Sequence, residues 1–161
     1  MTISENSSAT PSMPSANLPK WLIWSLIIVS FLGFLDASYL TVAHYTGLTL
    51  RCNVFSGCEQ VTTSPYSVVF GIPVALGGMF YYLTVLLATL FYFDSKKHGL
   101  LKYIASLTCV GFAASAWFVY LQLFVIKAIC QYCMISATTS ALLFIFGLII
   151  FKKYAKKTHH R

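Results

Sequence analysis

Charge is what this 161-residue sequence has least of: 9% of its residues are charged, and only four are acidic. Soluble domains carry roughly a quarter charged residues, so a fold facing water on all sides is excluded. The same composition excludes a disordered chain, and also a nucleic-acid binder whose basic stripe lines a polar surface. A basic n-region ahead of the first apolar run is missing as well, and that run is too long for the h-region of a cleaved signal peptide. No internal repeat is evident. What is abundant is apolar: 58% of the residues are hydrophobic and the mean hydropathy is +0.75.

A hydrocarbon layer about 30 Å thick asks for roughly 20 apolar residues per helix. Trp21 to about Ala43, Ile72 to Phe93, Leu101 to Ile126 and Ile129 to Phe151 meet that requirement. They predict an all-α fold, an integral membrane four-helix bundle over residues 20–151. Residues 1–19 are rich in Ser, Pro and Asn and predict a flexible tail; residues 152–161 form a basic one. The connections at Asp94 to Leu100 and Lys127 to Ala128 are short, which makes the second, third and fourth helices consecutive antiparallel neighbours. From about His44 to Gly71 the chain is more polar, with turn residues Gly47, Gly57, Pro65 and Gly71, and it is the extramembrane segment long enough to carry structure of its own.

Lysine and arginine are retained on the cytoplasmic side of a membrane. Lys20, Lys96, Lys97, Lys102, Lys152, Lys153, Lys156, Lys157 and Arg161 fall at one set of helix ends, while Arg51 and Lys127 fall at the other, nine against two. Both termini are therefore expected in the cytoplasm of a cell whose inner or plasma membrane holds the protein. The loop between the first two helices is expected on the periplasmic or exterior side. The basic tail reads as a topological anchor beside anionic lipid.

Four of the five cysteines, Cys52, Cys58, Cys130 and Cys133, then lie on the outer side, where disulfides persist. Cys109 lies on the third helix, about 27 Å from that end at 1.5 Å per residue, and is expected to be a small buried apolar residue. Cys130 and Cys133, in C-x-x-C spacing where the fourth helix begins, share one helix face. The helix N-terminus there favours a thiolate. Cys52 and Cys58 are spaced for a small loop disulfide, worth only about 2.4 kcal/mol in the chain-entropy view and so either structural or exchangeable. Two pairs on one side, one in a loop and one at a helix end, suit a relay by thiol–disulfide exchange. Structural staples or half a metal site remain the alternative readings.

Together these residues resemble the prokaryotic branch of the vitamin K epoxide reductase family. The marks are the loop pair Cys52 and Cys58, the stretch Cys58-Glu59-Gln60-Val61-Thr62-Thr63-Ser64-Pro65-Tyr66, the following Val69-Phe70-Gly71-Ile72-Pro73, and the C-x-x-C that opens the fourth helix. In the analogous disulfide-generating bundle of the other type, the C-x-x-C occupies the first outer loop; here the order is reversed. The resemblance implies a quinone-coupled thiol–disulfide oxidoreductase that generates disulfides de novo, with ubiquinone or menaquinone as acceptor. It implies Cys130 and Cys133 as the active-site pair, Cys133 nearest the quinone and Cys130 exchanging with Cys58. Cys52 would exchange with a separate thioredoxin-fold dithiol oxidase outside the membrane, since many prokaryotic members carry such a domain fused and this sequence stops soon after its fourth helix. Ser64 matches a serine of the family six residues past the second loop cysteine and is either a hydrogen-bonding group near the redox centre or a turn cap.

Two departures accompany the match. An asparagine and a tyrosine associated with the quinone in the vertebrate branch correspond here to Ser67 and Ala137, so polar recognition of the quinone must differ. A quinone needs an apolar, aromatic-lined pocket. Phe70, Phe80, Tyr81, Trp117, Tyr120 and Phe124 supply material for it, although most such aromatics pack or anchor a bundle. Asp36, the one acid well inside a span, is either a proton donor toward the reduced quinone or a hydrogen-bonded structural acid. Glu59 beside Cys58 tunes a thiol or is a solvated loop charge. Competing with this enzyme are a nonenzymatic scaffold or metal-binding protein, and a quinone or epoxide reductase in the vitamin K sense.

Overall fold

The computed structural model describes residues 19–48, 50, 57–95 and 98–158, without the side chains of residues 98 and 154–158. Helix α1 (Lys20–Thr46) starts after Pro19, whose extended backbone (φ −60°, ψ 136°) precedes the first turn. It ends at Gly47 in the left-handed region (φ 64°), where the glycine N–H donates to the Ala43 carbonyl. Beyond it come the short helix α2 (Cys58–Thr62), a 3₁₀ turn (Pro65–Ser67) and a two-stranded hairpin of β1 (Val68–Val69) and β2 (Ile72–Pro73). The hairpin pairs Val68 with Pro73 and Val69 with Ile72, and turns at Phe70 and Gly71, both at positive φ. Helices α3 (Val74–Ser95), α4 (His98–Tyr120, continued by a π-helical turn Leu121–Ile126) and α5 (Gln131–Thr158) complete the chain.

The bundle closes as a ring in which α1 packs on α3 and α5, and α4 on α5 and α3. The segments predicted to span are the four long helices, each apolar enough to cross a membrane. Their boundaries differ slightly from the sequence reading. Ile72 and Pro73 belong to the hairpin, so α3 begins at Val74, and Cys130 sits immediately ahead of α5. Helix α5 runs on to Thr158, so most of the basic tail is helical backbone.

The inner stripes are legible only at the contacts. Leu101, Ile104, Thr108 and Gly111 of α4, and Ser140, Leu143, Gly147 and Ile150 of α5, recur at helical spacing and are buried. On the outside sit Trp24, Phe31, Leu35, Phe91 and Val110, while Ser30, Thr41, Thr89 and Thr108 are inside. That inversion is what a lipid-facing bundle shows, because lipid does not penalise exposed apolar side chains and small or hydroxylated residues bring helices close. Gly33 shows the close approach: a Cβ there would overlap the Tyr82 ring of α3.

Candidate functional site

The irregular end of the bundle is built around the connection from α4 to α5. Lys127 takes a left-handed conformation (φ 55°), which reverses the chain after the π-helical turn. Gln122, inside that turn and 3% exposed, secures the reversal twice. Its main-chain carbonyl accepts the Ala128 N–H at 3.1 Å, and its side-chain Oε1 accepts the Cys130 N–H at 3.0 Å. π-Helical turns of this kind are frequent at functional sites.

Cys130 thereby becomes the cap of α5. Its carbonyl accepts the Met134 N–H at 3.0 Å, and its Sγ accepts the Cys133 N–H at 3.4 Å, satisfying a backbone donor that the first helical turn otherwise leaves unpaired. Hydrogen bonding from the Cys133 thiol, aided by the backbone N–H groups of Cys133 and Tyr132, lowers the Cys130 thiol from 9.0 to about 7. Burial and the charge of Asp36 oppose that shift without cancelling it. Cys130 is fully buried and Cys133 is half-buried; both are free thiols.

The loop is docked onto this end. Gly57 lies so close to the α4–α5 connection that a Cβ would stand 2.8 Å from the Ile129 nitrogen, so only glycine permits the approach. Cys58, next in sequence, is buried and disulfide-bonded, and packs in one apolar cluster with Leu40, Ala43, Val61, Ala128 and Cys130. The structure thus brings Cys58, Cys130 and Cys133 together. Cys52 lies outside the described residues.

Beside Cys133 opens a mainly apolar cavity of about 610 Å³ between α1, α3, α4, α5 and the hairpin segment. Ser64 and Ala137 line it, as does Ser67. The Ser64 hydroxyl donates to the Val61 carbonyl at 2.7 Å, so this serine holds a local turn as well as forming wall. Asp36 is half-buried, its Oδ2 is buried without a hydrogen-bond partner, and it is absent from the cavity wall.

Other expectations need correction. Phe70 is fully exposed at the hairpin tip, where its positive φ turns the side chain away, and it does not line the cavity. Phe80, Trp117, Tyr120 and Phe124 point outward; the last three form a run of neighbouring rings, stacked at Trp117–Tyr120 and tilted at Tyr120–Phe124, with centroids 5.9 and 5.0 Å apart. Of the aromatics proposed from sequence, Tyr81 reaches the wall, joined by Tyr66, Tyr82 and Phe118, which the sequence did not single out. Cys109 is exposed on α4, not buried, because Leu101, Ile104 and Thr108 occupy the inward stripe and leave position 109 on the other face. Gln122 was also missed, although a lone amide within a long apolar run was the available signal.

Over residues 24–148 the chain matches the vitamin K epoxide reductase family. It is 35% identical over 119 residues to the thiol-disulfide oxidoreductase LTO1 of Arabidopsis thaliana, an alignment covering 68% of this chain and 31% of that protein. The chain belongs to the vitamin K epoxide reductase family.

Proposed function

We propose that this protein is a thiol–disulfide oxidoreductase that generates disulfides by passing electrons from an external dithiol protein to a membrane quinone. The observation that carries the reading is the juxtaposition at one end of the bundle: Cys58 packed with Cys130, and Cys133 on the wall of an apolar cavity. The relative's printed name, a thiol-disulfide oxidoreductase, supports the thiol half of the reaction. This chain aligns with under a third of that relative's length.

A reduced thioredoxin-fold partner loses two electrons and two protons to the Cys52–Cys58 disulfide, becoming a disulfide itself. Cys58 then attacks Cys130 of an oxidised Cys130–Cys133 pair, forming a mixed disulfide and releasing Cys133 as thiolate. Attack by Cys52 on Cys58 restores the loop disulfide and releases Cys130, whose lowered proton affinity makes it a good leaving group. Quinone, as acceptor, takes up two electrons and two protons, and Cys130 and Cys133 close again.

The cavity suits such an acceptor: its wall is largely apolar with aromatic members, and a free thiol stands at its edge. Lys20, Lys102, Lys152 and Lys153 lie at the helix ends away from Cys58, Cys130 and Cys133, which supports cytoplasmic termini and an exterior site. The decisive experiment is an anaerobic assay of purified protein with a reduced thioredoxin-fold protein and either ubiquinone or menaquinone. Thiol loss and quinol formation are expected in equal amounts. Free thiols that stay unchanged on adding quinone would leave a structural scaffold as the better reading.

A further inference from the structure

On the cavity wall Ala137 carries no side-chain donor, and the Ser67 hydroxyl is spent on the Ser64 carbonyl at 2.7 Å. Several further donors on the wall are engaged too, whereas the Tyr81 hydroxyl is buried without a partner. Thr62 donates to the Cys58 carbonyl at 2.9 Å, Ser64 to Val61, and the Tyr82 hydroxyl to the Ser136 carbonyl at 2.6 Å. Among the wall's polar side chains outside those bonds, Gln122 is the one more than nine-tenths buried.

Its orientation is fixed by chemistry. The Cys130 N–H can only donate, so the amide oxygen must face it and the NH₂ must point the other way. No acceptor on the described residues meets that NH₂, yet Gln122 and Cys133 line the same cavity. Gln122 has no fully buried unpartnered atom, so its NH₂ keeps access to the cavity, where a ligand acceptor can meet it.

We propose that Gln122 donates the hydrogen bond that seats a quinone carbonyl beside Cys133. The assignment rests on the quinone reading above and names the polar contact within it. A donor aimed at the carbonyl oxygen stabilises the negative charge that develops there as electrons arrive. Because the same carboxamide holds the Cys130 N–H through its oxygen, one side chain fixes the acceptor and the thiol pair in a common frame.

Two substitutions separate the roles. Gln122→Glu keeps an oxygen for the Cys130 N–H and loses the NH₂; Gln122→Met loses both. With menadione and decylubiquinone as probes, both variants are expected to raise the quinone KM about tenfold. Reduction of the Cys130–Cys133 disulfide by a small dithiol is expected to fall less in Gln122→Glu than in Gln122→Met, because only the former keeps an acceptor for the Cys130 N–H. A Gln122→Glu KM within twofold of wild type, with only Gln122→Met impaired, would show that Gln122 merely holds the backbone. Infrared difference spectra of wild-type protein with carbonyl-labelled menadione give a readout free of any folding defect. One carbonyl stretch is expected to fall and to respond to deuterium exchange, and an unshifted pair overturns the assignment. Wild-type protein whose thiols ignore quinone defeats the quinone reading itself, and this assignment with it; a working wild type with unmoved KM and spectrum defeats the Gln122 assignment alone.

Discussion

The two ends of this bundle are built on different terms. Toward the basic end, Leu22, Leu26, Val85, Leu101, Ile104, Leu143 and Ile150 interdigitate between regular helices. Toward the cysteine end, the helices stop early or change pitch: a left-handed Gly47, a π-helical turn, a left-handed Lys127 and a docked loop replace continuous ridges and grooves. The first end needs only shape, and lipid-like side chains supply it. The second must hold buried sulfurs and unpaired backbone groups in register, so it recruits polar side chains, Gln122 above all, to finish the hydrogen bonding. Regular packing gives this protein its stability, and broken regularity gives it a place for chemistry.

Experiments can break that division. The largest effect is expected from Cys133→Ala, which should reduce quinone-dependent thiol oxidation to the uncatalysed background while leaving the fold intact; an active variant would sink the mechanism. Next, Cys58→Ala or Cys52→Ala should abolish oxidation of a protein partner yet leave reduction of the Cys130–Cys133 pair by a small dithiol nearly unchanged. Equal loss with both reductants counts against a shuttle.

At the other end the expected response is thermal, not catalytic. Gly33→Val drives a side chain into the Tyr82 ring and should destabilise the bundle by about 2 kcal/mol, read as a lower Tm in detergent, with the surviving folded fraction still active. A Gly33→Val protein as stable as wild type would mean the core is far looser than its contacts indicate.

A pH titration probes the cysteine end. In the reduced protein the thiolate absorbance of Cys130 should rise around pH 7 instead of 9. Since the folded value is lowered, the resulting stabilisation is fully present above the unfolded value near 9 and is lost as pH falls through about 7. The Tm of the reduced protein should therefore gain on that of the oxidised protein between pH 6 and 9, and parallel curves would argue against the capped thiolate. The smallest effect is expected from Cys109→Ala: its exposed sulfur joins neither end, so stability should change by less than about 0.5 kcal/mol and activity should be retained.

Parts of this contrast were legible in the residues and parts were not. The spans were readable because a bilayer sets a length that apolar runs must match, and Cys130 and Cys133 were readable because i and i+3 share a helix face wherever the helix sits. Which aromatics line the cavity was not readable. In a water-soluble helix the polar face marks the outside, but in lipid both faces are apolar, so Phe80 and Trp117 look no different in sequence from Tyr81 and Phe118. Cys109 was misplaced for the same reason, and Phe70 because its direction depends on a turn conformation at a single residue.

By itself the sequence determined that the chain is a four-helix membrane bundle and which cysteines have the spacing for exchange. Both follow from local quantities: the length of an apolar run, the charge at its ends and the pitch of a helix. Only the tertiary structure decided that Cys58 packs with Cys130, that Cys133 meets a cavity, and that Gln122 stands between the two. Those are relations among α1, the loop, α4 and α5, set by how closely Gly57 and the Lys127 turn let separate segments approach, and no single stretch of sequence carries that distance.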